Sequence, residues 1–437
     1  MTRLKLLTGE TFASMRIRNF RLFFGGQIIS QTGTWSSMVA QTLLVLNLTN
    51  SGVALGFLAA AQFGPVLLLG AWAGVVADRS DKRKLLVIVQ SLAMLQSFVM
   101  AGLAFTGSPP LAAVYAVAFA GGVLTAFDNP TRRSFVVEMV PASHVNNAVS
   151  LNSALMTGSR VIGPVLAGVL VMTVGFGWTF VIDGLSYLAV LAGLLMMRAE
   201  ELRSAPLVVR AKGQVRAGLR YARSVPQLFI PLVMMAVIGS LAFNFQVVMP
   251  LFVTQDLGGT DTTFTLLFSV LSLGSLVGAL AVARRTTTTV RRVGMTAIGF
   301  GVSMAMLAVS PNQTVAFIVG PLIGIASIAF MTASTALVQT EADPAMRGRV
   351  LALQAMVFLG STPIGGPLVG WVAERLGARY AIGLGAVACV AAGLWGVTVA
   401  RRDGVDYRPE VATQSEMVEV IELVEDPPVA GPLLPAR

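Results

Sequence analysis

Twelve long apolar stretches divide this chain, and they restrict its possible folds more than any other feature of the sequence. Each contains roughly twenty residues, enough for a helix to cross a hydrocarbon core about 30 Å thick at about 1.5 Å per residue. The predicted spans are roughly residues 20–47, 53–77, 85–106, 110–128, 147–172, 178–198, 228–253, 262–283, 293–309, 314–337, 350–373 and 380–400. We therefore expect an all-α membrane protein with twelve transmembrane helices.

Basic residues mark one side of the predicted membrane. Apart from Arg160, Arg375 and Arg379, the Lys and Arg residues, 28 of 31, lie in the terminal segments, in alternate gaps between spans or at the span ends that border them. By the positive-inside rule, these gaps and both termini face the cytoplasm. The net charge of +10 reflects this topology, and because the charges are scattered over many loops they do not favour nucleic acid as a partner.

Composition excludes several other classes of protein. Charged residues make up only 12% of the chain, too few for an ordinary soluble domain of 437 residues. The single cysteine, Cys389, excludes an internal disulfide and a cysteine metal cluster, and the only histidine is His144 in a predicted loop. The chain lacks a Gly-x-x-x-x-Gly-Lys-Ser/Thr phosphate-binding loop. We expect no catalytic residue, no metal and no cofactor, so energy must come from an ion gradient or a partner.

An internal repeat relates the two halves of the chain at a fixed offset. The residue pairs are Phe127 and Phe330, Glu138 and Glu341, Pro141 and Pro344, Gly163 and Gly366, and Pro164 and Pro367. Because six spans separate equivalent points, the halves enter the membrane in the same orientation, as in rocker transporters. The predicted organisation is a terminal segment (1–19), a six-helix half (20–198), a linker (199–226), a second six-helix half (227–400) and an acidic tail (401–437). A channel or membrane enzyme is the competing class, but nothing resembles a selectivity filter or a nucleophile elbow.

A recognisable motif lies between spans 2 and 3. It reads Gly74-Val-Val-Ala-Asp78-Arg79-Ser-Asp81-Lys82-Arg83-Lys84 and resembles the loop 2–3 motif of the major facilitator superfamily, G-x-x-x-D-R/K-x-G-R/K-R/K. The matching positions are Gly74, Asp78, Arg79, Lys82 and Arg83, while Asp81 replaces the usual second glycine. The resemblance implies the major facilitator fold and a gating role, in which these charges latch the two halves in the outward-facing state.

Further residues narrow the resemblance to the enterobactin-exporter branch, which is grouped with drug:proton antiporters. They are Asn19-Phe20-Arg21, Ser30-Gln31-Thr32-Gly33-Thr34-Trp35, Asp128-Asn129-Pro130-Thr131-Arg132 and Asn146-Asn147-Ala148. The resemblance implies a multi-pass exporter of the bacterial inner membrane. We expect a monomer among membrane lipids that moves a small amphiphilic substrate by alternating access and proton antiport. A lipid or lysolipid flippase of the same fold and a non-transporting membrane adaptor remain alternatives.

Ionisable residues at membrane depth are the candidates for proton coupling, because they cost several kcal/mol unless they are paired or hydrated. Arg160 lies on a polar stripe of span 5 and is the only basic residue clearly at this depth. Asp183 lies in span 6, and Asp128 is placed at the cytoplasmic end of span 4. Arg160 and Asp183 are candidates for an ion pair, and either carboxylate could carry the proton.

Polar and aromatic residues at helical spacing suggest the substrate cavity, because amides beside apolar surface suit an amphiphile. The candidates are Gln27, Gln31, Trp35, Met38, Ser153, Thr157, Asn244, Gln246, Gln354 and Phe358. Ordinary contacts between helices are the alternative role for these residues. The Gly163-Pro164 and Gly366-Pro367 pairs are candidate hinges that interrupt spans 5 and 11, because proline removes a backbone hydrogen bond.

Overall fold

Helices account for the fold of the described part of the chain. The computed structural model describes residues 12–203, 214–282 and 288–402. Within these ranges nine helices are long and apolar enough to cross a membrane. One of them contains spans 5 and 6, and two less hydropathic helices supply spans 1 and 9, which completes twelve transmembrane helices.

The first six spans form one half of the molecule. Spans 1 to 4 are Arg18–Thr49, Gly52–Arg79, Lys82–Phe105 and Leu111–Glu138. Spans 5 and 6 form one helical element, Val145–Leu195, which bends at Gly175. Gly175 has a φ of 81°, a conformation that side-chain-bearing residues rarely adopt.

The second half contains spans 7 to 12. Span 7 is Pro226–Leu241 followed by Phe245–Leu251 and a π-helical turn, Phe252–Asp256; spans 8 to 12 are Asp261–Val282, Val290–Ala308, Gln313–Glu341, Pro344–Leu376 and Ala378–Arg402. A short helix, Gln214–Ser224, precedes span 7. The predicted terminal segment, linker and tail fall partly or wholly on residues 1–11, 204–213 and 403–437, which lie outside the described residues.

Two predictions about helix boundaries were wrong. Span 4 continues to Glu138, so Asp128 lies well inside the helix rather than at its end. The Gly163-Pro164 and Gly366-Pro367 pairs do not interrupt their helices, which run on to Gly175 and Leu376. Packing against neighbouring helices keeps these proline-containing helices continuous, because the lost hydrogen bond is a local defect in a long ladder.

Among the described residues, the close contacts between the two halves lie mainly toward one face of the molecule. We call the face with the loop between spans 2 and 3 the basic face, and the other the opposite face. At the opposite face Gly52 of span 2 meets the backbone of Gly370 of span 11, and Gly168 of span 5 meets Thr265 of span 8. Toward the basic face the buried apolar residues form separate clusters within each half, around Phe135 and around Val350. Among the described residues, the two halves are therefore joined less continuously toward the basic face than toward the opposite face.

Polar contacts reinforce the closed opposite face. Glu374 of span 11 accepts hydrogen bonds from the Ser51 hydroxyl and, at 3.0 Å, from the Val53 backbone at the start of span 2. Asn47 of span 1 donates to Asp261 at 3.2 Å. These hydrogen bonds must break before the two halves can separate at this face.

Candidate functional site

A buried charge cluster joins four spans of the first half. Asp128 of span 4 forms an ion pair with Arg132, one turn along the same helix, at 2.9 Å. The amide of Gln90 in span 3 donates to Asp128 at 2.7 Å, and Arg132 donates to Gln27 of span 1 at 3.2 Å. Arg132 also donates to the sulfur of Met156 in span 5 at 3.5 Å. Both residues are buried, with side chains that are 12% exposed for Asp128 and 5% exposed for Arg132.

This cluster contains a basic residue that the predicted spans had placed in a loop after span 4. Arg132 and Arg133 lie within span 4, because the helix continues past Asp128. An i, i+4 spacing places the Asp128 and Arg132 side chains on one helical face, and pairing offsets part of the cost of burying two charges. The i, i+4 spacing and the amides at Gln27 and Gln90 are sequence signals that could have revealed the pair.

Asp183 has a different environment. Its carboxylate is 3% exposed and accepts a hydrogen bond from the Ser97 hydroxyl of span 3 at 2.6 Å. The second carboxylate oxygen faces Gly33 of span 1, where an added Cβ would lie 2.8 Å away. No cation within the described residues pairs with Asp183.

The predicted ion pair between Arg160 and Asp183 is not formed. The Arg160 guanidinium lies over the indole ring of Trp35, with 4.8 Å from its central carbon to the ring centroid. Asp183 is directed between spans 1, 3 and 6 instead. Arg160 is exposed, whereas Asp183 is buried, so the two side chains occupy different environments.

Span 7 is broken near the middle of the membrane. The helix ends at Leu241 and restarts at Phe245, with Asn244 as the residue before the second segment. Asn244 is buried, and its amide donates to the Ser240 carbonyl at 2.6 Å, while its own side-chain oxygen has no hydrogen-bond partner. Breaks of this kind supply polar backbone and side-chain groups to the centre of transporter folds.

A phenylalanine cluster surrounds this break. The ring of Phe243 lies 5.1 Å, centroid to centroid, from both Phe300 of span 9 and Phe358 of span 11. Phe245 lies 6.2 Å from Phe243 and from Phe300. Phe243, Phe245 and Phe358 remain partly exposed, so the cluster offers an apolar surface at mid-membrane.

The two halves touch near this level through one polar contact. The Gln246 amide of span 7 lies 3.1 Å from the sulfur of Met38 in span 1. Trp35 is one turn from Met38 on the same span, which brings the Arg160–Trp35 stack near the phenylalanine cluster. The geometry thus combines a cation, an indole and an apolar surface between the halves.

The other predicted cavity residues are distributed unevenly. Ser153 is exposed and Thr157 half-buried on the same span as Arg160. Gln31 is buried, and Gln354 donates to Ser334 of span 10 at 2.8 Å inside the second half. Together with Gln27, which contacts Arg132, these amides lie between helices. Their role as cavity residues stays a prediction.

Two basic residues of the loop 2–3 motif contact other helices of the first half. Lys82 pairs with Glu138 of span 4 at 2.6 Å, and Arg83 donates to the carbonyls of Leu194 and Leu195 at the end of span 6. Gly74 is buried, Asp78 half-buried and Arg79 exposed. Asp81 occupies the usual glycine position and is the N-cap of span 3. Its carboxylate accepts a hydrogen bond from the Lys84 backbone N–H. A latch across the halves stays a prediction.

Known structures share this fold. A bacterial homologue of the human lysosomal transporter Spinster, in an inward-facing and unoccupied conformation, superimposes with a TM-score of 0.71 at 15% identity and covers 92% of this chain and 99% of its own. A peptide transporter, POT, gives a TM-score of 0.74 at 12% identity and covers 89% of this chain and 95% of its own. At these identities the likeness concerns the fold alone.

Sequence relatives point to small-molecule efflux. The staphyloferrin A transporter of Staphylococcus aureus is 24% identical over 82% of this chain and 90% of its own length. The macrolide efflux protein A of Streptococcus pyogenes is 23% identical over 83% of this chain and 91% of its own length. The multidrug efflux pump Tap of Mycolicibacterium fortuitum is 24% identical over 79% of this chain and 87% of its own length.

A family model described as a transmembrane secretion effector matches residues 9–425, nearly the whole chain. The match agrees with the loop 2–3 motif, the six-plus-six arrangement of spans and the names of the relatives. The superfamily resemblance expected from the sequence is confirmed, and the chain is not an enzyme. It is a multi-pass membrane transporter, and it belongs to the transmembrane secretion effector family of the major facilitator superfamily.

Proposed function

We propose that this transporter exports amphiphilic small molecules from the cytoplasm by alternating access, in exchange for protons. The names of the relatives support efflux of a siderophore, macrolides or drugs as the type of activity. The bias of Lys and Arg toward one face supports a plasma-membrane orientation with both termini in the cytoplasm. The less continuous packing between the halves then faces the cytoplasm, where substrate would enter.

The proposal of proton coupling rests on the buried carboxylate of Asp183. A lone buried charge costs several kcal/mol at membrane depth, and binding of a proton removes that cost. Asp183 has no cationic partner in the part of the chain that the structure describes, whereas Asp128 pairs with Arg132. Its contacts with Ser97 and Gly33 join span 6 to spans 3 and 1, so a change in its charge would alter the packing of the helices that line the cavity.

The test is transport into proteoliposomes with an imposed pH gradient and a fluorescent amphiphile. We expect accumulation that follows the sign of the gradient and stops when a protonophore collapses it. Transport that ignores the gradient would contradict proton antiport and would favour a flippase of the same fold. Absence of any transport would favour an adaptor.

A glycine substitution at the opposite face should shift the balance between the two access states. An added Cβ at Gly370 would meet the backbone of Gly52 across the interface, so Gly370→Val should push the halves apart there. Overpacking of this kind costs about 1–3 kcal/mol, which corresponds to a change in population of roughly 5-fold to 140-fold.

The measurement is labelling of Met38→Cys by an impermeant maleimide added from the opposite face, in a Cys389→Ser background. We expect faster labelling in Gly370→Val than in the parent. Gly102→Val is the matched control, because Gly102 has open space around its Cβ position. Equal labelling of the two valine variants would contradict the role of the Gly52–Gly370 contact in closure.

A further inference from the structure

Arg160 is a cation that faces the space between the two halves. At about 100° per residue, it lies on the face of span 5 opposite Ile162 and Val169, two exposed apolar residues suited to lipid. It shares its own face with Ser153, Thr157 and Ala167. The neighbouring Gly168 packs against span 8 of the other half, so this face of span 5 points toward the second half.

No carboxylate of the described residues forms an ion pair with Arg160. Its recorded contact is the stack on Trp35. Arg133, another exposed cation of the first half, is near enough to repel it electrostatically. Two carboxylates of this half have other partners. Asp128 forms an ion pair with Arg132, and Asp183 accepts a hydrogen bond from the Ser97 hydroxyl.

We propose that the transporter takes substrates that carry an anionic group, a carboxylate above all, and that Arg160 is the residue that binds this group. A guanidinium is always charged and presents several donors in a planar fork that matches a carboxylate. The guanidinium is held over the Trp35 ring, and the Arg160 side chain remains exposed, so its donors are accessible to a ligand. This proposal rests on the proposed export function and specifies its substrate class.

The phenylalanine cluster completes the site for an amphiphile. Trp35 and Met38 lie one helical turn apart on span 1, and Met38 contacts Gln246 beside Phe245. An anionic group at Arg160 therefore places an attached apolar body within reach of Phe243, Phe245 and Phe358. Each half of the molecule contributes one part of the recognition, which is suited to a carrier whose halves separate and close around the substrate.

The experiment compares a dansyl-tagged long-chain carboxylic acid with its primary amide, which differs only in lacking the charge. Equilibrium binding and gradient-driven transport of both probes are measured in proteoliposomes of the wild type, Arg160→Gln and Arg160→Lys. Arg21→Gln, which removes an exposed charge near the basic face, is the control. We expect the wild type to prefer the acid, and Arg160→Gln to bind it about tenfold more weakly or worse while its affinity for the amide changes little. Arg160→Lys should recover part of the preference.

Each other outcome separates the two proposals. Transport of the amide but not the acid by the wild type would overturn the anionic substrate class and leave the export function standing. An equal loss of both probes in Arg160→Gln would also overturn it, since a purely structural arginine would affect both. Failure of the wild type to bind or transport the acid, while it still accumulates the fluorescent amphiphile of the pH-gradient experiment, would overturn the anionic substrate class and leave the export function standing.

Discussion

Asp183→Asn should abolish the coupling of transport to the pH gradient while leaving a folded carrier. Asparagine has nearly the same size as aspartate and can accept the hydrogen bond from the Ser97 hydroxyl, but it cannot take up or release a proton. A gradient of one pH unit stores about 1.4 kcal/mol per proton, which supports roughly tenfold accumulation of substrate. The variant should lose this accumulation.

The decisive measurement separates coupling from movement of the substrate. Energy-independent exchange of labelled for unlabelled substrate requires only that the halves rock, so we expect it to persist in Asp183→Asn. Glu201→Gln, which neutralises an exposed carboxylate at the end of the first half, should behave as the wild type. Full gradient-driven accumulation in Asp183→Asn would refute the role proposed for this carboxylate and would direct attention to Asp128.

Removing Arg132 alone should destabilise the protein severely. Arg132→Met leaves the Asp128 carboxylate buried without its cation and deprives Gln27 of a donor. Breaking a buried pair by removing one partner typically costs about 3–5 kcal/mol, whereas replacing both partners costs far less. Asp128→Asn combined with Arg132→Met should therefore recover most of the stability.

A double-mutant cycle tests this expectation. The fraction unfolded in mixed detergent and dodecyl sulfate is measured for the wild type, both single variants and the double variant, and the coupling free energy is taken from the four values. Lys82→Met provides a comparison, because it removes the span 3 cation that pairs with Glu138 at the end of span 4. A cost for Arg132→Met below about 1 kcal/mol would show that water or lipid headgroups reach Asp128.

The candidate site could be predicted only in part from the sequence. Polar residues at membrane depth are rare, so Asp183, Arg160 and Trp35 were recognisable as unusual from their positions alone. Their partners were not, because contacts between spans depend on how each helix rotates and how deep it lies. The sequence suggested Arg160 with Asp183, but the fold brings Arg160 to Trp35 and Asp183 to Ser97.

The sequence by itself determined the twelve spans, the repeat of six and the asymmetry of charge. Each of these follows from a property of single segments: enough apolar length to cross lipid, and basic residues kept to one side. The tertiary structure alone decided that span 4 continues past Asp128, that span 7 breaks at Asn244, and that the halves meet at Gly52 and Gly370. These features depend on packing between helices, because neighbouring helices determine whether a proline or glycine bends a span and which face of each helix meets another.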